Sequence, residues 1–163
     1  MYEYKKKTKF NWLHLVIFIL IIEIIGGLSA LFAGDIKGIY NSLTLPAFSP
    51  PDYLFGIVWP LLYALIAISG YLIYQRYSSK QTKIVDYSLF IAQLVLNFIW
   101  SIIFFRESSY WLGLVIILVL DFIVLVCIIH FSKTSHLSSI LMIPYFLWII
   151  FASYLTLGVA ILN

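Results

Sequence analysis

LTLPAFSPPDYLFGIVWP, residues Leu43–Pro60, holds four of the chain's five prolines within fifteen residues. Long apolar runs lie on both sides of it. Pro50 and Pro51 suit the opening turn of a helix, where a missing N–H costs nothing. Pro60 lies deeper in the following run, where it removes a backbone hydrogen bond and crowds the preceding turn. A bend beside Trp59 is expected to open room inside a helix bundle.

The composition around this stretch excludes an ordinary soluble domain. Of 163 residues, 63% are hydrophobic and 10% charged, against about 45–50% and 25% in soluble domains. A membrane span needs about 20 mostly apolar residues. Five stretches qualify: Trp12–Ala33, Asp52–Tyr74, Ile84–Phe105, Tyr110–Phe131 and Leu137–Leu162. The expected fold is an all-α integral membrane bundle of five helices forming a single domain over residues 1–163. The later connections, QRYSSKQTK, RESS and SKTSH, are short and force antiparallel neighbours. No repeat relates two halves, so an inverted-repeat transporter is not favoured.

The basic residues orient the bundle. Lys5, Lys6, Lys7, Lys9, Arg76, Lys80, Lys83 and Lys133 fall on one side, and Lys37 and Arg106 on the other. The positive-inside rule therefore expects the N-terminus inside and the C-terminus outside. The net charge of +3 fits this topology signal better than a nucleic-acid surface. The first run follows KKKTK but has a long apolar core, carries Glu23 and shows no clear cleavage site, so it reads as a retained helix. That points to a bacterial cytoplasmic membrane, with a mitochondrial outer membrane as the other option.

Residues 34–51 make the one long connection. Ile39, Tyr40 and Leu43 fit one face of a helical turn that Pro46 ends. Together with Leu45 and Phe48 they are expected to pack down on the outer helix ends as a lid; a loose turn is the alternative.

Trp12 and Trp111 open their spans and suit the interfacial belts. Trp59, Trp100 and Trp148 lie deeper. A buried indole N–H seeks a partner that lipid does not supply, so these three should face the interior. Trp59 and Tyr63 are four apart. Gln93, Asn97, Trp100 and Phe104 form one helical stripe, and Tyr145, Trp148 and Ala152 another. Aromatic walls with a few polar handles describe a pocket for a flat, largely apolar ligand; interhelical packing with amide glue is the other reading.

Glu23 and Asp121 fall near mid-span, where a charge costs about 2.5–3.5 kcal/mol on insertion scales. Each is expected to be protonated or hydrogen-bonded within the bundle. Glu23 also raises a functional alternative, a proton-coupled small-molecule exporter. His14 and His130 fall near inner helix ends. Cys127 cannot form an internal disulfide and reads as packing. No Ser/His/Asp set, phosphate loop or metal-ligand spacing is present, so no catalytic residue, metal or required cofactor is expected. An anionic ligand would meet Lys37 or Arg106 at the rim.

Three blocks, LPAFSPPDYLFGIVWPLLYAL (Leu45–Leu65), QLVLNFIWSIIFF (Gln93–Phe105) and IPYFLWIIFASYL (Ile143–Leu155), resemble the translocator protein family. Its bacterial members are the tryptophan-rich sensory proteins and its mitochondrial members the peripheral benzodiazepine receptors. The resemblance implies a five-helix bundle, a homodimer, and binding of tetrapyrroles such as haem and protoporphyrin, or of benzodiazepine-receptor-type ligands. Light-dependent porphyrin breakdown is an alternative it raises. It implies a pocket of Tyr40, Pro51, Trp59, Tyr63, Asn97, Trp100, Tyr145, Trp148 and Ala152. Two departures stand out. Phe48 occupies a position where many relatives carry Trp. The final residues, LGVAILN, lack the Tyr and Arg of the mitochondrial cholesterol-recognition segment. LIYQR at Leu72–Arg76 matches that pattern elsewhere, but almost any helix end with an aromatic and a cation satisfies it, and sterol transport is not the expectation.

Overall fold

A computed structural model describes residues 10–163. The lysines at positions 5, 6, 7 and 9, which weigh heavily in the orientation argument, lie outside the described residues. Among those described there is no strand. The helices are α1 (Trp12–Ala33), α2 (Ile36–Ser42), α3 (Tyr53–Gln75), α4 (Lys80–Ser101), α5 (Tyr110–Thr134) and α6 (His136–Leu162). A π-helical turn, Ile102–Arg106, extends α4. Five of these are long and apolar enough to cross a membrane, α4 together with its π turn counting as one.

The ends follow from local chemistry. Asn11 caps α1 by accepting from the amides of Leu13 and His14. Ser79 caps α4 by accepting from Thr82 N–H, so that helix starts at Lys80 rather than at Ile84. The capped KQTK turn is polar, and hydropathy alone does not reveal it. Gly34 takes φ 85° at the end of α1, a conformation that suits glycine. Asp52 is the N-cap of α3, so Pro50 and Pro51 precede the helix instead of forming its first turn. The helix runs unbroken through Pro60. Proline has no N–H to offer the carbonyl four residues back, that of Gly56.

α5 pairs most extensively with α6, α4 packs on α5, and α3 lies between α1 and α6. The central core includes Ile66, Leu120, Val124, Cys127, Met142, Tyr145 and Ile149. Cys127 is thus a packing residue. α1 buries a narrow stripe, Ile22, Gly26, Ser29 and Ala33, at helical spacing. Its other face leaves Leu13, Val16, Ile17, Leu20, Ile24 and Leu31 exposed, as a lipid-facing helix requires. Trp12 and Trp111 are also exposed, in keeping with the belt reading.

The connection after α1 is held at several points. Tyr40 is buried and donates to the Pro50 carbonyl at 2.8 Å. Asn163 accepts from Thr44 N–H at 2.9 Å and donates back to Thr44 O at 3.1 Å. Tyr154 donates to the Ala47 carbonyl at 2.8 Å. Ile39, Leu43 and Leu45 pack on the cluster around Trp100 and Phe104. Helix α2 ends at Ser42, four residues before Pro46, so its end does not depend on the proline. Phe48 departs from the expected packing. It is 89% exposed and takes φ 62°, a backbone turn that aims its ring away from the bundle.

Candidate functional site

A cavity of about 460 Å³ lies between α1, α2, α3, the end of α4 and α6. Its size falls within the usual range of small-molecule sites, about 300–1,000 Å³. Trp59, Trp100 and Trp148 all line it, together with Tyr40, Tyr63 and Ala152. Three indoles from three helices therefore share one hollow. Trp59 stacks on Tyr63 with ring centroids 5.4 Å apart. Trp100 stacks on Phe104 at 5.4 Å. Trp148 meets Phe55 edge-on at 6.0 Å, and Phe55 in turn meets Tyr40 at 4.9 Å. Each indole is thus braced by a second ring.

Asn97 and Tyr145 do not line the cavity; they lie one layer behind it. Tyr63 Oη donates to Asn97 Oδ1 at 3.0 Å, and Asn97 Nδ2 donates to Tyr145 Oη at 3.0 Å. Asn97 and Tyr145 are almost fully buried. This line of polar groups ties α3, α4 and α6 together beneath the cavity and fixes the Tyr63 ring. Pro51 is exposed and outside the lining. From the connection and its flanks, Ile36, Lys37, Tyr40, Asp52 and Tyr53 reach the cavity.

The two mid-span acids part company. Asp121 accepts from Ser153 Oγ at 2.7 Å and joins α5 to α6, as a hydrogen-bonded intramembrane acid was expected to do. Glu23 lines the cavity. Asp86, at the other end of α4, is a buried acid that hydropathy did not single out. It accepts from Thr134 Oγ1 at 2.8 Å and lies 3.9 Å from His130 Nδ1.

The residues that sequence reasoning missed are instructive. On α1 the cavity is lined by Gly26, Gly27, Ser29 and Ala30. A Cβ at Gly26 would run into the Tyr63 ring, whereas one at Gly27 would meet nothing. Gly26 is therefore needed for close approach, and the Gly-Gly pair was the available signal. Phe55 continues the four-residue step of Trp59 and Tyr63, so its place was legible. Phe105 lines the cavity and Phe104 beside it is also buried; both lie within the π turn.

At the mouth, Lys37 Nζ sits 3.4 Å from Asp52 Oδ2, which also accepts from Asn41 Nδ2 at 3.0 Å. The Asn41 hydrogen bond, then Lys37, hold the Asp52 carboxyl below the usual carboxylate range. Burial raises the Tyr40 phenol, so it stays a donor to Pro50. Arg106 is outside the lining and lies 3.9 Å from Glu107. The indole nitrogens of Trp100 and Trp148 are buried with no acceptor in reach among the described residues. The expected interior position holds for them, but the expected protein partner is missing.

The profile of the TspO/MBR family matches residues 16–162. The chain belongs to the TspO/MBR family. It is similar to the tryptophan-rich protein TspO of Archaeoglobus fulgidus, with 38% identity over 94% of this chain and 99% of the relative. It is similar to the protein CrtK of Rhodobacter capsulatus at 27% identity, covering 76% of this chain and 78% of the relative. To the human translocator protein it is 29% identical over 71% of this chain and 69% of the relative. TspO/MBR membership and the five long apolar helices together make this an integral membrane protein.

Proposed function

We propose that this chain is a membrane receptor or carrier that binds tetrapyrroles, haem or protoporphyrin, and benzodiazepine-receptor-type ligands in the cavity. One observation carries the reading: Trp59, Trp100 and Trp148 bound a single hollow of about 460 Å³. Flat apolar molecules stack on such walls. The unpartnered indole N–H groups of Trp100 and Trp148 would gain by a modest shift toward a ligand acceptor, because an orphaned buried donor is costly. The segment around α2 serves as a lid, held by Tyr40 and by the Lys37–Asp52 pair. The chain works as a homodimer in a bacterial cytoplasmic membrane, N-terminus inside.

Protoporphyrin titrated into the purified protein should quench tryptophan fluorescence saturably. Trp59→Phe and Trp148→Phe should each remove a large part of the quenching and weaken binding. Unchanged titrations in both variants reject the site.

A second reading, proton-coupled export, draws on Glu23 lining the same cavity. In proteoliposomes, cation uptake would then release protons, and Glu23→Gln would abolish both while porphyrin quenching persists.

A further inference from the structure

The charges around the cavity do not balance. Glu23, Lys37 and Asp52 are its charged lining residues. Lys37 and Asp52 pair with each other at 3.4 Å. Glu23 makes no hydrogen bond or ion pair among the described residues. It stands eleven residues into α1, roughly 16 Å along the helix axis, in the depth of the bilayer.

Three lining hydroxyls are already engaged, and the open indole N–H groups of Trp100 and Trp148 make no hydrogen bond to Glu23. Tyr63, whose ring packs on α1 at Gly26, donates its hydroxyl to Asn97. Ser29, on the same helix, donates to the Phe98 carbonyl at 3.3 Å. Tyr40 donates to Pro50. A carboxyl in such a place is expensive to ionise without a partner. A ligand that brings the missing donor recovers that cost, and recovers more when the donor is charged.

We propose that Glu23 is a recognition residue: its carboxyl receives a protonated amine or a ring N–H from the ligand, so the cavity selects flat aromatic molecules that carry a cationic or N–H-donating edge. This rests on the reading of the cavity as a ligand site and narrows the class of ligand. The same logic sets orientation. A ligand with carboxylates turns them toward the mouth and Lys37, away from Glu23, because two carboxyls side by side cannot both ionise cheaply.

The test compares two probes with the same fused rings, 9-aminoacridine, a cation at neutral pH, and uncharged acridine. Both are titrated against tryptophan fluorescence in nanodiscs of phosphatidylcholine, whose surface has no net charge. Wild type should bind the cation at least tenfold more tightly than acridine. Glu23→Gln should bring the two within twofold while acridine's affinity stays unchanged, and Glu23→Asp should keep a preference. No preference in wild type, a preference that survives Glu23→Gln, or an equal loss for both probes in that variant each overturns the proposal. Failure of protoporphyrin to quench, beside an intact Glu23-dependent preference, defeats the tetrapyrrole reading and leaves this one standing.

Discussion

Tyr63 and Asn97, on α3 and α4, meet through a 3.0 Å hydrogen bond directly behind the cavity wall. The bond does more than join two helices. The same Tyr63 ring packs against Gly26 of α1 and stacks under Trp59. One side chain therefore transmits the positions of three helices to the cavity wall.

Removing the amide should be costly. Asn97→Leu leaves the hydroxyls of Tyr63 and Tyr145 without their partner, and an unsatisfied buried polar group costs about 1–3 kcal/mol. Thermal unfolding in detergent should show a clear drop. Tyr63→Phe should lose less, since only the Asn97 carbonyl is then left unmatched by that bond.

Two adjacent glycines should behave in opposite ways. Gly26→Ala drives a methyl group into the Tyr63 ring, and overpacking of this kind costs about 1–3 kcal/mol. Gly27→Ala meets open space and should leave stability unchanged or slightly raised, as alanine favours helix by about 1 kcal/mol. Melting curves of the pair provide the comparison. Equal losses would contradict the packing account.

The Asp121–Ser153 contact should depend on an acceptor rather than on charge. Asp121→Asn keeps an oxygen to accept from Ser153 Oγ and should stay near wild-type stability. Asp121→Leu strands that hydroxyl and should cost about 1–3 kcal/mol by the same measurement.

The mouth of the cavity should loosen in acid. Asp52 is held below the ordinary carboxylate range, chiefly by Asn41 and then by Lys37. A group with a depressed folded-state pKa stabilises above its unfolded value, about 3.9, and loses that contribution as pH falls through the folded-state pKa. Amide exchange in α2, corrected for intrinsic rate, should be flat between about pH 6 and 8 and should rise below about pH 4. Asp52→Asn should remove the acid-dependent part.

Much of the architecture was legible because membrane helices are read from length and hydropathy. The Gln93, Asn97, Trp100 and Phe104 stripe was equally plain, since helical spacing puts these residues on one buried face. The start of α4 was misjudged by four residues, because a serine cap rather than apolar content begins that helix. The α1 wall was hidden for another reason. Nearly every residue of α1 is apolar, so the pattern does not say which face turns inward. That face is marked by small residues, Gly26, Ser29 and Ala33, not by greasier ones. The separation of Asn97 and Tyr145 from the lining was also beyond reach, because stripe spacing gives direction but not depth. Phe48 shows the reverse error: it was expected to pack down with the lid on the outer helix ends, but local backbone geometry turned it outward.

The widened turn at Ile102–Arg106 has a consequence for sequence change in this region. Along an ordinary helix each residue rotates the side-chain direction by about 100°. Here the π turn accommodates one additional residue, and Phe104 and Phe105 within it are both buried. Deleting a single residue from IIFFR would restore normal pitch and swing the next side chain out of phase. The aromatic floor under Trp100 would then thin without any ring being mutated. Length, as much as identity, is what this short segment has to preserve.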